Sequence, residues 1–200
     1  MESKNKGTDI TTHEKKTFSN VNYAEKKLVR REFLKCTFTN CDFNKSDLSG
    51  NDFVDCTFEQ CNFSLVVLEG TGLNNSTFTD CKLLGVDFTK CNKFMFSFVF
   101  TRCSLDYSTF FGTKLRKTPF THCTLKQVDF SEADLTSVSF SNCDLSGAIF
   151  SNTMLAKADF TTAQHFVINP VTNKMKKARF SALNLSGLLE NFDLDISFDH

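Results

Sequence analysis

The sequence predicts an all-β fold in which a four-sided coil of short parallel strands surrounds a filled interior. Three observations lead to this prediction. Apolar residues recur at every fifth position, the pattern itself repeats every twenty residues, and the cysteines follow the same two periods. An isolated helix repeats its apolar residues about every 3.6 positions and a strand every two, so neither explains a spacing of five. A chain with this spacing turns a corner every five residues.

The period of five covers most of the chain. Fifteen consecutive positions in steps of five carry Phe, Tyr or Leu, from Phe18 to Phe88. The pattern then slips by two residues and resumes at Phe100, after which Phe and Leu alternate up to Phe160. This alternation gives opposite faces the same residue type, so four faces of five residues form one coil. The predicted core stack is Phe38, Phe58, Phe78, Phe100, Phe120, Phe140 and Phe160.

The nine cysteines test this arrangement independently, because eight lie two residues before a position of the five-residue series and the ninth, Cys91, lies in the slipped segment. Six recur on one face in steps of twenty, with a single step of 22 from Cys81 to Cys103 that matches the slip. Spacings of five and twenty do not fit zinc-binding patterns, and an odd number cannot pair completely into disulfides. We therefore expect small, buried, inward-facing thiols, with no metal site and no cofactor.

The sequence also lacks the motifs of catalysis. It contains no nucleophile elbow, phosphate-binding loop, zinc-protease or dinucleotide-binding motif, and its four histidines are scattered. His122 next to Cys123 resembles a catalytic pair, but the repeat places Cys123 inward and His122 outward. A filled interior leaves no pocket of ligand size. The sequence predicts a protein that is not an enzyme and has no catalytic residues.

The repeats resemble those of the pentapeptide-repeat proteins, whose unit is a small residue, Asp or Asn, Leu or Phe, and two variable positions. Residues 41–45 (CDFNK), 46–50 (SDLSG), 128–132 (VDFSE) and 143–147 (CDLSG) have this form. The resemblance covers about residues 18–185 and implies a right-handed quadrilateral parallel β-helix. We expect the Asp or Asn of each unit to hydrogen-bond the backbone of its corner.

The repeat divides the chain into three parts. They are a polar N-terminal arm or loose cap (residues 1–17), the coil (18–163), and a degenerate last coil with a capping and dimerisation segment (164–200). Within the last part, residues 168–173 favour a turn, and residues 181–192 favour a short helix with Ser181 as its N-cap. Residues 193–198 alternate like a strand.

The slip at residues 89–99 requires a bulge or short loop that holds two extra residues. Its phenylalanines crowd around one position, so they either repack the corner or form an exposed patch with nearby aromatic residues. Acidic residues at variable outward positions are also free to contact a partner. The candidate partner-binding residues are Asp55, Glu59, Glu69, Asp80, Phe94, Phe96, Phe98, Tyr107 and Phe111.

The C-terminal segment is richer in leucine than the cap of a narrow rod requires. Because two-fold pairing is the commonest association of identical chains, we expect a homodimer formed through this end. Residues 187–190 (GLLE) and 192–196 (FDLDI) also resemble the ending of the Qnr-type quinolone-resistance branch, which dimerises through such a segment. The candidate interface residues are Leu183, Leu185, Leu188, Leu189, Phe192, Leu194 and Ile196.

The resemblance to the Qnr-type branch implies binding to DNA gyrase and topoisomerase IV. It also implies that a rod resembling duplex DNA protects these enzymes from quinolones or other poisons. The alternative is a structural or scaffold rod that binds an unrelated protein. The 23 basic and 23 acidic residues cancel, which argues against direct nucleic-acid binding. The absence of a long apolar run predicts no membrane contact, and the polar N-terminus predicts a cytoplasmic location.

Overall fold

In a computed structural model, which describes residues 10–94, 96–192 and 194–195, the chain forms the right-handed quadrilateral parallel β-helix that the repeats predict. Ten strands of the described part belong to one sheet, and their pairings are parallel. The strands are β1 (Thr11–Glu14), β2 (Thr17–Ser19), β3 (Arg31–Leu34), β4 (Thr37–Thr39), β5 (Asp52–Val54), β6 (Thr57–Glu59), β7 (Gly72–Thr79), β8 (Phe96–Thr101), β9 (Pro119–Thr121) and β10 (Ser139–Ser141). None of the described helices is both long and apolar enough to cross a bilayer.

We number the four faces in chain order by the columns of buried side chains behind them. Face 1 contains Phe33 in its column, face 2 Phe38, face 3 Phe43 and face 4 Leu48, and all four residues are buried. The strands lie on faces 1 and 2, whereas faces 3 and 4 are joined mainly by single parallel bridges between successive coils. Each position therefore lies next to its equivalent one coil later.

Each corner is formed by a residue with left-handed backbone. In the described part, 24 non-glycine residues and five glycines have positive φ, and all except His165 lie two positions after a column residue. The corner amide donates to the next coil, as from Asn20 N to the Thr39 carbonyl at 3.0 Å. The preceding Asp side chains form the expected turns: Asp42 Oδ1 accepts from Asn44 N at 2.9 Å.

The column of face 2 is a continuous stack of phenylalanine rings. Successive ring centroids from Phe18 to Phe180 lie 4.8–5.4 Å apart, with ring planes 1–22° from parallel. The seven predicted members are all buried. A void beside Leu48 and Phe63 measures about 10 Å³, which holds at most one water molecule. The predicted filled interior is confirmed.

The nine cysteines are buried and free, in the predicted inward position. Their thiols also make hydrogen bonds between coils. Cys61 Sγ donates to the Phe38 carbonyl at 3.4 Å, and the Cys41 amide donates to Cys61 Sγ at 3.4 Å. Burial raises the pKa of Cys56 to about 12. The thiols therefore link successive coils through hydrogen bonds and are not purely apolar filler.

The coil begins earlier than the sequence pattern indicated. Strand β1 pairs with β3, and the His13 ring stacks on Phe33 with ring centroids 4.9 Å apart. Residues 11–17 are therefore part of the first coil, and the prediction that residues 1–17 form an arm or loose cap is wrong for them. A histidine ring takes a column position that the pattern reserved for Phe, Tyr or Leu. Residues 1–9 lie outside the described part.

The buried side chains of the last coil do not follow the five-residue series. Phe166 and Ile168 are buried, while the regular five-residue series falls on His165 and Pro170. A turn follows at residues 170–172, as predicted. The described part therefore keeps a packed interior even where the repeat decays.

The predicted capping helix is present as two 3₁₀ helices, Ala182–Leu188 and Glu190–Phe192. A third 3₁₀ helix, Phe88–Lys90, lies in the middle of the coil. Ser181 is the N-cap of the first C-terminal helix, as predicted. A Cβ on Gly187 would lie 2.0 Å from a carbonyl oxygen of the last coil, so only glycine permits this close approach. The predicted strand-like tail lies mostly outside the described residues.

Replacing one ring of the stack should measure its contribution to stability. Phe120→Ala removes a fully buried side chain that stacks on two neighbours, so we expect the free energy of unfolding to fall by about 3–5 kcal/mol. Chemical denaturation followed by circular dichroism measures this change. Lys82→Ala, at an exposed position, should shift it by less than about 0.5 kcal/mol. Equal effects of both variants would contradict the stacking account.

Candidate protein-interaction surface

The slip in the repeat forms a bulge between faces 4 and 1. After the 3₁₀ helix Phe88–Lys90 the chain turns and then enters β8. The pairing of β8 with β7 shifts register between Leu73 and Ser76, and regular alignment returns where Phe78 faces Phe100. The predicted bulge is therefore present, and it interrupts an otherwise regular surface.

The three phenylalanines of the bulge have different surroundings. Phe94 is 98% exposed, Phe96 is half-buried against the core, and Phe98 is only 4% exposed. The prediction that Phe98 contacts a partner is therefore wrong. Phe98 lies two residues before Phe100, in the inward position that Cys occupies elsewhere, so the spacing itself contained the signal. The bulge both repacks a corner and exposes an aromatic ring.

An open pocket of about 430 Å³ lies beside the bulge. Its walls are mostly aromatic and aliphatic surface, with two lysines among them. The lining residues are Phe88, Thr89, Cys91, Lys93, Phe94, Phe96, Gly112, Thr113 and Lys114. The expectation that the chain has no pocket of ligand size is thus wrong on its exterior, because the bulge forms a concave surface that regular coils do not. Such a pocket suits an apolar side chain of a partner.

The pocket contains no activated nucleophile among its described residues. Burial raises the pKa of Cys91 to about 12, and the nearby Asp87 adds to this effect, so the thiol stays protonated. Cys123 is also buried, and its thiol donates to the Thr121 carbonyl at 3.4 Å, whereas His122 is exposed at a corner. Within the described ranges, no group of His, Cys, Asp and Glu is placed to bind a metal ion.

The four acidic candidates do not form one site. Asp55 and Asp80 are corner residues, Glu59 lies on face 2 and Glu69 on face 4. The Arg102 guanidinium donates to both carboxylate oxygens of Asp80, at 2.7 and 2.8 Å, and lowers its pKa. The prediction that Asp80 is free for a partner is therefore wrong. Arg102 occupies the same corner one coil later, a pairing that the period and the slip together encode.

Two further aromatic candidates are exposed on face 4 or at its corner with face 3. Tyr107 is a corner residue next to face 4 and is 71% exposed. Phe111 is exposed on face 4 and directly precedes Gly112, which lines the pocket. The structure thus brings Phe94, Phe111 and the pocket to one edge of face 4. Residues from two successive coils form this surface.

The C-terminal candidates divide into exposed and half-buried residues. Leu183, Leu185, Phe192 and Leu194 are exposed, and Leu183 reaches 90%. The other described members, Leu188 and Leu189, are half-buried, and Leu188 packs against the core. Ile196 lies outside the described residues. The end of the rod therefore presents four exposed apolar side chains among the described residues.

Substitutions at Phe94 and Phe98 should show which of the two rings contributes to the stability of the core. Phe94→Ser removes an exposed ring, so we expect unfolding free energy to change by less than about 0.5 kcal/mol. Phe98→Ser removes a buried ring and should cost about 3 kcal/mol or more. Urea denaturation of both variants and the unmodified protein measures the difference. A large loss of stability in Phe94→Ser would show that this ring is part of the core.

Comparisons with known proteins agree with this architecture. A family profile described as pentapeptide repeat region matches residues 31–110 and 93–160. A trypsin-treated form of QnrB1, described as a plasmid-mediated fluoroquinolone resistance protein, has 22% identity and a TM-score of 0.51 over 90% of this chain and 99% of its own. A second trypsin-treated form has 21% identity and a TM-score of 0.49, over 90% and 100% of the respective chains.

A more distant match differs in biological context. HetL of Nostoc sp. strain PCC 7120, a pentapeptide repeat protein involved in heterocyst differentiation regulation, has 13% identity and a TM-score of 0.42. The match covers 84% of this chain and 86% of HetL. A search of curated proteins found none with significant sequence similarity.

Proposed function

Because the chain belongs to the pentapeptide-repeat family, we propose that it is a non-enzymatic, protein-binding rod that protects a type II DNA topoisomerase from quinolones or other poisons. The observation that carries the proposal is the division between interior and exterior. Stacked side chains fill the interior, so contact with other molecules uses the outer faces, the bulge and the ends. Phe94 and the adjoining pocket supply an apolar anchor point of the kind that dominates protein interfaces.

The choice of a topoisomerase rests on the Qnr-type resemblance. QnrB1 is described as a fluoroquinolone resistance protein, and its shared rod architecture motivates a test with gyrase and topoisomerase IV. An identity of 22% supports the common fold, and the short C-terminal similarity adds the expected end-to-end dimer. A dimer would lengthen the rod and give it two-fold symmetry.

One observation favours the alternative, a scaffold rod for an unrelated protein. A mimic of duplex DNA should be strongly acidic, whereas this chain has no formal net charge. The charges are arranged in bands: residues 36–90 carry three basic and eight acidic residues, and residues 91–130 carry six basic and two acidic. Only the acidic band, residues 36–90, would therefore resemble DNA in its charge.

A supercoiling assay with purified gyrase tests the topoisomerase hypothesis. Added protein should restore supercoiling in the presence of ciprofloxacin, and Phe94→Asp should weaken this rescue because it places a charge in the apolar anchor. Asn142→Asp, which places the same charge at an exposed corner away from face 4 and the bulge, is the matched surface control. If the unmodified protein neither inhibits gyrase nor rescues it, and topoisomerase IV behaves likewise, the topoisomerase hypothesis is wrong and the scaffold alternative stands.

Substitutions at the C-terminal end test the proposed homodimer. We expect Leu183→Asp combined with Leu185→Asp to give a folded monomer, because both leucines are exposed and charges at an apolar interface oppose association. Leu188 is less suitable, since it packs against the core. Sedimentation velocity measures the oligomeric state, and circular dichroism verifies the fold. A dimer that persists in the double variant would place the interface elsewhere.

A further inference from the structure

The exposed hydrophobic side chains of the coil are concentrated on one of its four faces. Between residues 29 and 149, every described large hydrophobic side chain that is exposed lies on face 4, at its two corners or on the adjoining bulge. They are Val29, Leu65, Val67, Phe94, Tyr107, Phe111 and Ile149. Face 2, in contrast, presents mostly Ser and Thr at its outward positions. The repeat makes the columns behind the faces similar, so this asymmetry is a property of the exterior alone.

Glycines at the corners show the same preference for face 4. The five described glycines with positive φ all lie at the corners before or after this face. At Gly50, Gly70 and Gly112 an added Cβ would meet no atom within 4 Å, so these corners are open and carry no bulk. At Gly85 the space is filled by the side chain of Leu65, whose Cδ2 would lie 2.8 Å from an added Cβ. Beside Gly147 the Gln127 side chain fills the space, so only the corner that follows face 4 is low and permits close approach.

From residue 86 to residue 152, acidic and apolar coils alternate along face 4, whereas the earlier coil of Val67 also carries Glu69. The coil that contains Phe111 has no charged residue on this face or at its corners, and neither does the coil that contains Ile149. Between them, residues 128–132 supply two carboxylates, and the coil before Phe111 supplies Asp87 beside Lys90. Since coils are about 4.8 Å apart, the apolar coils recur about every 9.6 Å.

From residue 46 onward the charge of face 4 is predominantly negative, whereas its first coil carries Lys27 and Arg30. From residue 46 to residue 152, face 4 and its following corner contain five carboxylates and a single lysine, Lys90. The carboxylates are Asp47, Glu69, Asp87, Asp129 and Glu132. Lys27 pairs with the first of them at 2.7 Å, Lys45 lies at the preceding corner, and Lys93 and Lys114 lie at the pocket, toward face 1. A partner surface that matches face 4 must combine apolar and basic residues.

We propose that face 4 is the docking surface for an amphipathic, basic α-helix of a partner protein, lying along the rod; this rests on the proposed function as a protein-binding rod. Two turns of an α-helix rise about 10.8 Å, which is close to the spacing between the apolar coils of face 4. Apolar residues seven positions apart on the helix can therefore contact successive apolar coils. Lysine or arginine on the intervening turns then faces Asp87, Asp129 and Glu132. An extended strand repeats one side about every 6.6 Å and fits this spacing less well.

A second copy of the chain matches face 4 poorly. Antiparallel pairing of two such faces would bring carboxylates opposite carboxylates, which repel each other. Nucleic acid is disfavoured for the same reason, because phosphates would meet an acidic face. A basic helix satisfies both the apolar contacts and the charge.

A synthetic peptide probes this surface directly. The probe is a fluorescein-labelled helix with Leu at positions i, i+7 and i+14 and Lys at i+3, i+4, i+10 and i+11, compared with the same peptide carrying Glu in place of Lys. We expect the Lys peptide to bind and to shift backbone amide NMR signals of face 4. The Glu peptide should bind at least about tenfold more weakly. Failure of the Lys peptide to bind, equal binding of both peptides, or shifts centred on another face would overturn the proposal.

Corner substitutions provide matched variants that should keep the fold, because Lys and Glu already occupy left-handed corners of this chain, as at Lys117 and Glu132. Gly112→Lys should weaken binding of the Lys peptide about tenfold, whereas Gly112→Glu should leave it equal or tighter. Asn142→Lys makes a similar change at a corner away from face 4 and should have no effect. Equal loss in both Gly112 variants would contradict the charge argument. If Gly112→Lys changes sedimentation of the protein without peptide, a second copy occupies the face instead.

The gyrase assay separates this inference from the proposed function. If the peptide does not bind but the protein still protects gyrase, the inference about face 4 fails and the function stands. If the peptide binds face 4 as described but gyrase is neither inhibited nor protected, the docking surface stands and its partner is another protein.

Discussion

One backbone requirement governs this molecule: the chain must turn a corner every five residues, and each corner needs left-handed φ. Side chains other than glycine adopt this conformation at a cost on the order of 1 kcal/mol each, and 24 described residues do so. Repetition offsets the cost, because each corner amide donates to the next coil and each column side chain packs on its equivalent. Stability therefore depends on stacking between coils more than on any coil by itself.

The same requirement separates structural from functional positions. Column and inward positions are constrained in size, as the stacked rings and buried thiols show, whereas corner positions accept Lys, Asp, Tyr, His and Gly alike. Surface chemistry can therefore change from coil to coil without altering the fold. What distinguishes this rod from a regular one must lie in its exterior and in the places where the repeat is interrupted, such as the bulge before Phe96.

The sequence was sufficient for the architecture because it encodes periodicity directly. The phenylalanine stack, the buried cysteines, the bulge and the Ser181 cap followed from spacing and from turn chemistry. Two coils depart from this pattern. His13 occupies a column position of the first coil where the pattern predicts Phe, Tyr or Leu, and Phe166 fills the interior of the last coil one residue after the regular position. The candidate site was less predictable. The pairing of Asp80 with Arg102 could have been found from the period and the slip, whereas the pocket beside Phe94 depends on how the bulge folds, which spacing does not specify.

The glycines bear on whether the asymmetry of face 4 reflects function. At a left-handed corner glycine removes the steric cost of a side chain, on the order of 1 kcal/mol, which outweighs the greater conformational entropy of the unfolded chain. This gain is the same at every corner, so stability alone gives little reason to place glycine beside one face rather than another, and the fold accepts other residues at 24 described positions. Glycines such as Gly70 and Gly112 nonetheless flank the face that carries the exposed apolar residues. Gly50, Gly70 and Gly112 leave open space for an adjoining molecule at the corner that follows face 4, and the requirements of the coil explain this distribution less well.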